Sequence, residues 1–213
     1  MRSRHWWQTL VGWLCICWIV VIPVRAIAGP QTVETDNDNG IIHIIRAGAG
    51  GDYSQLANAL AAAPASAIIE ILPGIQIGQW LIDRPLTLRG YHGAILDGGG
   101  SGTILTITAS NVHIQGLNFQ RTGLQPVDAA ILVRARAVTI EGNRFKRSMR
   151  GITIGDGAGV NGDAAYTIVR NNTLVGWPDE TPPERSIGIA VLKASAVQIE
   201  LNTILAVQTG IAC

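Results

Sequence analysis

Apolar and polar residues alternate in a short pattern that recurs four times in the second half of the chain. The pattern starts at residues 112, 138, 167 and 197 and reads VHIQGLNF, VTIEGNRF, TIVRNNTL and VQIELNTI. Alternation over a few residues predicts a β-strand, because successive side chains of a strand point to opposite faces. The starts are 26, 29 and 30 residues apart, and repeats of roughly 20–50 residues are typical of solenoids. The pattern therefore predicts a β-solenoid.

A second family of apolar segments lies between the recurring units, at residues 130–133, 151–154 and 188–191. Each coil is therefore expected to hold at least two strands and a turn. Asn143 precedes Gly151 by eight residues, whereas Asn172 precedes Gly188 by sixteen. The latter coil is thus predicted to carry an eight-residue insertion, and insertions in solenoids often mark the functional face.

The chain before the repeats predicts a capped N-terminal end. After a short strand at residues 41–46, Ser54 is positioned to N-cap a short helix on which Leu56 and Leu60 share an apolar face, and Pro64 ends that helix. Such a helix would cover the open end of the solenoid core. Further short strands, bounded by Gly, Pro, Asp and Asn, are predicted at residues 68–71, 80–82, 86–90, 94–97 and 103–107.

The first 28 residues have the layout of a secretory signal peptide. Two arginines precede an apolar run over residues 10–24, and Ala26 and Ala28 form a small-x-small cleavage site. An uncleaved anchor is the alternative, but the run is shorter than the roughly 20 residues that a spanning helix needs. We therefore predict a signal peptide at residues 1–28, a flexible leader at residues 29–40, a solenoid domain at residues 41–213 and periplasmic localisation.

Charge and cysteine content exclude some classes of protein. Removal of residues 1–28 takes three arginines from the 16 basic residues and none from the 15 acidic ones, which leaves a net charge of about −2. No basic block remains in the sequence, so an electrostatic nucleic-acid binder is not expected. Cys213 would be the only cysteine of the exported chain, which predicts no internal disulfide.

The chain stops within a strand motif. Gly210, Ile211 and Ala212 repeat the opening of the segment at residues 188–190, and Cys213 ends the sequence. Because solenoids need a terminal cap, we expect a longer protein that is truncated here at its C-terminus. An edge that pairs with another chain is the alternative.

Asparagines occupy equivalent positions in three of the recurring units. They are Asn143, Asn172 and Asn202, and Leu117 stands in the earlier unit. Stacked asparagines at a turn can hydrogen-bond from coil to coil and tolerate left-handed backbone angles. We therefore predict a structural ladder that starts at Asn143.

The insertion at residues 176–185 is the predicted docking surface. Aromatic and arginine side chains often anchor interfaces, and here they stand among carboxylates. A set of solvated turns is the alternative. The candidate partner-binding residues are Trp177, Asp179, Glu180, Glu184 and Arg185.

The sequence offers no catalytic or metal motif. Acid–base chemistry on a sugar chain needs a base, an acid and a charge neutraliser close together, but no local motif pairs the available groups. We favour solvated surface charge for each of them, predict no catalytic residue and leave metal binding open. The groups considered for catalysis are Asp97, Asp128, Arg150, Asp156, Asp163 and Arg170, and those considered for copper are His43, His92, His113 and Met149.

Several segments resemble right-handed parallel β-helices of the pectin-lyase-like superfamily. They are SQLANAL at residues 54–60, ILPG at 71–74, LTLRG at 86–90 and AILDGGG at 94–100. Within that superfamily, residues 112–117, 140–145 and 184–189 are most similar to the periplasmic NosD-type family. The resemblance covers residues 52–213 and implies an all-β right-handed parallel β-helix with a short N-terminal capping helix.

The same resemblance implies a function. NosD-type proteins are exported accessory factors that work with a membrane ABC transporter in the copper-site assembly of nitrous oxide reductase. Copper is implied for this chain only by the resemblance, and no cofactor is predicted from its own residues. Because the matched motifs are scaffold signals, two alternatives remain: a carbohydrate-active β-helix of the polysaccharide lyase or C5-epimerase kind, and an exported binding repeat without catalysis.

Overall fold

The structure is a computed structural model that describes residues 42–155, 164–178, 181 and 183–213. These residues belong to one compact unit, Gly40–Cys213. The predicted signal peptide and leader lie outside the described residues, as do Asp156, Asp163, Asp179 and Glu180. Within the described ranges, the only helix is far too short to cross a membrane.

Short strands and one helix make up the described chain. The helix is α1 (Leu56–Ala62). The strands are β1 (Ile44–Ala47), β2 (Ala67–Ile71), β3 (Gly74–Ile77), β4 (Trp80–Ile82), β5 (Leu86–Gly90), β6 (Ala94–Asp97), β7 (Leu105–Ile107), β8 (His113–Gln115), β9 (Asn118–Gln120), β10 (Ala129–Val133), β11 (Thr139–Glu141), β12 (Arg144–Lys146), β13 (Arg150–Ile154), β14 (Ile168–Arg170), β15 (Thr173–Val175), β16 (Ile187–Val191), β17 (Gln198–Glu200), β18 (Thr203–Leu205) and β19 (Thr209–Ala212).

The strands stack into three parallel sheets. Sheet A runs β1-β2-β5-β8-β11-β14-β17, sheet B runs β3-β6-β9-β12-β15-β18, and sheet C runs β4-β7-β10-β13-β16-β19. From β2 onward the chain visits A, B and C in turn, so each coil contributes one strand to every sheet. This is a right-handed parallel β-helix, and the predicted fold is confirmed.

Each recurring unit holds two strands rather than the single strand that its alternation predicts. A two-residue turn separates a sheet A strand from a sheet B strand, and the first turn residue has a left-handed backbone. Gly142 has φ 63°, Asn171 has φ 55° and Leu201 has φ 53°. The buried positions shift from even to odd numbers across the bend, from Ile140 to Phe145, so the alternation is interrupted at the corner. The left-handed residue is therefore the one before each ladder asparagine, not the asparagine itself.

The core consists of stacked apolar columns. In sheet A, the buried side chains of Leu88, Ile114 and Ile140 lie in register on β5, β8 and β11. In sheet B, the rings of Phe119 and Phe145 stack with centroids 5.0 Å apart and an interplanar angle of 8°. Each such side chain contributes roughly 1.5–3 kcal/mol through burial, so the fold rests on the repetition of these columns.

The predicted helix is present, but its predicted N-cap is wrong. Gln55 occupies the N-cap position, and its side chain makes no capping hydrogen bond. The cap comes instead from Gln76 on β3, because the Leu56 N–H donates to Gln76 Oε1 at 3.1 Å and Gln76 Nε2 donates to the Ser54 carbonyl at 3.1 Å. A residue from the next coil thus performs the role assigned to Ser54.

Candidate functional site

The turns between sheets A and B are joined by hydrogen bonds from the predicted ladder positions. Asn143 N–H and Nδ2 both donate to Asn172 Oδ1, at 2.9 and 3.1 Å. Asn172 N–H and Nδ2 donate to Asn202 Oδ1, each at 3.0 Å. The ladder extends one coil further than predicted, because the Leu117 N–H donates to Asn143 Oδ1 at 3.0 Å.

Each ladder amide also ties the neighbouring strand. Asn172 Nδ2 donates to the Ile140 carbonyl at 2.9 Å, and Asn143 and Asn202 make the equivalent bonds to Ile114 and Val169. Asn143 and Asn172 are buried, so these bonds satisfy main-chain groups that water does not reach. The ladder fixes the corner that separates the outer face of sheet A from that of sheet B.

Charged side chains of both signs line the outer face of sheet A, which we call the paired face. Because the strands are parallel and in register, one residue of each coil stands above its equivalent in the next. From β1 to β17, that column reads Arg46, Glu70, Arg89, Gln115, Glu141, Arg170 and Glu200. Opposite charges therefore meet between coils on both sides of Gln115.

Glu70 is the most heavily bonded carboxylate of the paired face. It accepts from Arg89 Nη2 at 2.5 Å, from the Tyr91 hydroxyl at 3.0 Å and from Arg46 Nε at 3.3 Å. Burial by itself would raise the pKa of Glu70, but these hydrogen bonds and the charge of Arg89 outweigh it and hold the pKa below its ordinary value. Glu70 is therefore ionised and structural at neutral pH.

A second cluster joins His113, Glu141 and Arg170. Arg170 Nε donates to Glu141 Oε2 at 2.6 Å, and His113 Nε2 lies 2.9 Å from Glu141 Oε1. The hydrogen bond from Arg170 holds the pKa of Glu141 below its ordinary value, and His113 acts in the same direction against partial burial. Arg170 was a candidate charge neutraliser, and the structure gives it a partner, Glu141, that sequence reasoning missed.

Asp97 was a candidate acid, and it is buried at the end of β6. Gln120 Nε2 donates to Asp97 Oδ2 at 2.6 Å, Arg121 Nε donates at 2.9 Å and the Gly99 N–H donates to Oδ1 at 2.7 Å. Burial alone would raise the pKa of Asp97, but these donors and the Arg121 charge hold it below its ordinary value. The carboxylate organises the turn after β6, and its side chain is buried.

The candidates Asp128 and Arg150 lie at the start of adjacent strands in sheet C. Asp128 Oδ2 accepts the Gln125 N–H at 2.9 Å, so its carboxylate closes the turn before β10. The Arg150 N–H donates to the Asp128 carbonyl oxygen at 3.1 Å, which is a main-chain contact between coils. Arg150 Nε is buried without a hydrogen-bond partner among the described residues. The structure shows no shared acid–base contact between the two side chains.

The predicted docking surface is only partly on the outside. Trp177 is 7% exposed, so its ring packs into the molecule and offers little area to a partner. Glu184 and Arg185 are exposed. Asp179 and Glu180 lie outside the described residues. Of the described part of this segment, the charged end faces solvent and the aromatic residue does not.

The residues considered for copper do not converge. No three His, Cys, Asp or Glu side chains in the described ranges form a group that could hold a metal ion. Met149 is buried, and His113 is engaged by Glu141. Soft copper sites are built from clustered Met, Cys and His ligands, and metal binding by this chain stays an open question.

A further cluster lies on the outer face of sheet B, which we call the basic face. Two adjoining cavities of about 510 and 500 Å³ lie along it, and Gln120 and Lys146 line both. The first cavity adds Arg144, and the second adds Arg121 and Arg147. Sequence reasoning missed this cluster, although the run RFKR at residues 144–147 was a usable signal once a strand there places alternate side chains outward.

The chain is similar to two curated proteins, each named "Probable ABC transporter binding protein NosD". The protein from Pseudomonas aeruginosa is 32% identical over 142 residues, which cover 64% of this chain and 31% of the relative. The protein from Stutzerimonas stutzeri is 27% identical over 138 residues, which cover 62% of this chain and 30% of the relative. No family model matches the chain.

These two proteins are distant homologues of the chain. The match spans about a third of their length, so it concerns one region of a longer relative. The resemblance to NosD-type proteins inferred from the scaffold motifs is supported to that extent. The match does not extend to the activity and partners of the full-length relatives.

Proposed function

We propose that this chain is an exported accessory protein that assists copper-site assembly in nitrous oxide reductase together with an ABC transporter. The similarity to the two proteins named NosD carries the proposal. In this role the β-helix is a rigid surface for protein partners. The protein acts by docking rather than by holding the metal, a role supported by the lack of a described group of three His, Cys, Asp or Glu side chains.

The state of three carboxylates argues against their use in carbohydrate chemistry. A general acid or base works best when its pKa is near the pH of the reaction. The pKa values of Glu70, Asp97 and Glu141 lie below the ordinary range because hydrogen-bond donors hold the ionised forms. Groups of this kind are poor proton donors and weak bases at neutral pH, and they suit a scaffold better than a lyase or an epimerase.

A deletion strain tests the proposed function. Nitrous oxide reductase purified from a strain that lacks this gene should contain less copper than the enzyme from the parent strain. Expression of the wild-type chain from a plasmid should restore the copper content. A fully loaded enzyme in the deletion strain would refute the proposal.

Export and metal binding are tested on the isolated protein. N-terminal sequencing of the secreted form should begin at Gly29, because Ala26 and Ala28 flank the predicted cleavage site. Intact Met1 on membrane-bound protein would contradict export with cleavage. Calorimetry on the Cys213→Ser variant should detect no tight copper(I) site, whereas stoichiometric binding that resists a competitor would overturn the docking role.

A further inference from the structure

The basic face carries cations that no carboxylate of the described chain neutralises. Arg144 and Lys146 are two residues apart on β12, so their side chains leave the same side of the strand, and both are exposed. Neither makes an ion pair with a described residue. Arg147 also lines the second cavity but has an interaction within the protein, so it is not counted here.

The described surroundings of these two cations are free of acidic groups. No aspartate or glutamate among the described residues lines either cavity. Asp97, the carboxylate of this sheet, is already bonded by Arg121 and Gln120. The charges of Arg144 and Lys146 therefore face solvent with no described carboxylate against them, although the exported chain would carry a net charge of about −2.

We infer that the basic face binds an acidic polypeptide segment of a partner protein. The inference rests on the proposed function for the partner being a protein, and it specifies the chemistry of the segment that docks. Aspartate and glutamate side chains of the segment would pair with Arg144 and Lys146. Pairs of this kind set the orientation and the association rate of a complex more than its affinity.

The dimensions of the face fit an extended peptide. The first cavity reaches from Gly93, next to β6, to Thr173 on β15, which spans four successive strands of sheet B. Neighbouring strands lie about 4.8 Å apart, so the distance is roughly 14 Å. An extended chain covers about 3.3–3.6 Å per residue, so about four residues fit along the face.

The lining groups favour a peptide over a nucleic acid. Asn118 Nδ2 and Gln120 Nε2 donate within the protein, to the Ala94 carbonyl and to Asp97. Their amide oxygens are the groups that can accept peptide N–H donors. Phe119 is fully buried, and His92 is the exposed ring of the lining. A single exposed ring offers one stacking position, whereas bases bound in succession along the face would need several.

Binding of short poly-L-glutamate to the purified chain tests the inference. Fluorescence anisotropy with labelled polymer should show binding that weakens as salt screens the charges. Lys146→Glu should weaken binding several-fold, and Arg144→Glu with Lys146→Glu should weaken it roughly tenfold or more. Lys193→Glu is the matched control, because it makes the same charge change at an exposed residue between β16 and β17. The affinity of this variant for poly-L-glutamate should stay within about twofold of wild type.

Three outcomes would overturn the inference. They are an absence of binding, an equal loss of affinity in Lys146→Glu and Lys193→Glu, and tighter binding of polygalacturonate than of poly-L-glutamate at equal charge. The last result would identify a glycan site instead. If the double charge reversal unfolds the chain, Arg144→Gln with Lys146→Gln provides the same comparison with less repulsion.

The result is independent of the deletion-strain experiment. A normal copper content in the deletion strain would refute the proposed function. If poly-L-glutamate still bound at the basic face, the inference that this face binds an acidic segment would stand. If the deletion strain has low copper content, the Arg144→Glu, Lys146→Glu chain can be expressed in it beside wild type. Equal restoration of the copper content by both chains would show that the basic face has no part in maturation, and it would overturn the inference about the partner.

Discussion

The paired face of sheet A and the basic face of sheet B are built by the same repeat but differ in whether their charged side chains have partners of opposite charge. On the paired face, Glu70 stands between Arg46 and Arg89, so each charge meets its opposite in a neighbouring coil. On the basic face, the neighbours of Arg144 are Asn118 and Thr173, and those of Lys146 are Gln120 and Val175. Among the described residues, the charges of the first face are paired between coils, and Arg144 and Lys146 of the second face have no carboxylate partner.

The difference shows that register, rather than composition, decides which surface of a β-helix is available to a partner. In a parallel stack, a side chain interacts with the residue at the same position of the next coil, about 4.8 Å away. Opposite charges at equivalent positions form ion pairs. A cation whose neighbours in the stack are uncharged is not neutralised by them. The paired face therefore contributes to stability, and the basic face is available for recognition.

The largest expected effect comes from breaking the corner that separates the two faces. Asn172→Leu should lower the free energy of unfolding by about 1–3 kcal/mol, because the Asn143 N–H and the Ile140 carbonyl lose their partner in a buried site. Denaturant unfolding measures the change. A midpoint and slope equal to those of wild type would show that the ladder does not support the fold.

The adjacent residue supplies a control for that variant. Asn171 is exposed and has φ 55°, so Asn171→Gly keeps the backbone conformation and the N–H bond to the Glu200 carbonyl. Its free energy of unfolding should stay within about 0.5 kcal/mol of wild type. A loss as large as that of Asn172→Leu would assign the effect to the turn as a whole rather than to the ladder amide.

The next effect tests the neutralised face. Glu70→Gln should cost about 1–2 kcal/mol at pH 7, because two arginines and Tyr91 lose a charged acceptor. A carboxylate whose pKa is lowered by folding stabilises the protein above its unfolded pKa, and that contribution disappears as the pH falls through the folded value. The gap between wild type and Glu70→Gln should therefore narrow as the pH falls below about 4.5, the ordinary value for glutamate.

Asp83→Asn is the control for the pH series. Asp83 is exposed and its hydrogen bond is with the adjacent Arg84, so the change should cost no more than about 0.5 kcal/mol. Unfolding is followed by circular dichroism from pH 7 to pH 3. A constant gap for Glu70→Gln over this range would contradict the assignment of the lowered pKa.

A smaller effect is expected at the last corner between the two faces. Leu201 has φ 53° and is 81% exposed, and a left-handed backbone costs an ordinary L-residue roughly 1–2 kcal/mol. Leu201→Asn should raise the free energy of unfolding by about 0.5–1 kcal/mol, since asparagine tolerates this region. Leu201→Ala retains a Cβ atom without the local hydrogen bonds of asparagine, so it should gain less. Equal gains in both variants would assign the effect to the loss of an exposed apolar side chain.

The smallest effect is expected on the basic face. Lys146→Gln should change the free energy of unfolding by less than about 0.5 kcal/mol, because Lys146 makes no ion pair with a described residue. Any change should be a slight gain at low salt that disappears at high salt, since one of two neighbouring like charges is removed. A loss above about 1 kcal/mol would show that Lys146 stabilises the fold.

Sequence periodicity predicted many of the strands and the helix, but it did not predict how the coil bends. The apolar positions at residues 138–145 pass from Ile140 to Phe145, an odd spacing that interrupts the alternation, and Gly142 and Asn143 form a corner there. The prediction of a single strand overlooked this break. The cap of α1 was missed because Gln76 reaches it from the following coil. The local pattern of apolar and polar residues indicates which side chains point inward. It does not indicate which residue of a later coil will contact them.

The candidate site shows the same limit. Trp177 looks like an interface anchor in sequence, but it is 7% exposed in the folded chain. Arg170 was considered for catalysis, but Glu141 from the preceding coil pairs with it. Arg144 and Lys146 attracted no attention in sequence, because their significance depends on what lies beside them in the stack.

The sequence by itself determined the repeat, the solenoid architecture and the positions of the stacked asparagines, because these follow from side-chain period and from the spacing of equivalent residues. Only the tertiary structure decided which charges are neutralised and which remain exposed. That outcome depends on contacts between residues that are 19 or more positions apart and are brought together by the register of parallel strands, so no local window of the chain contains it.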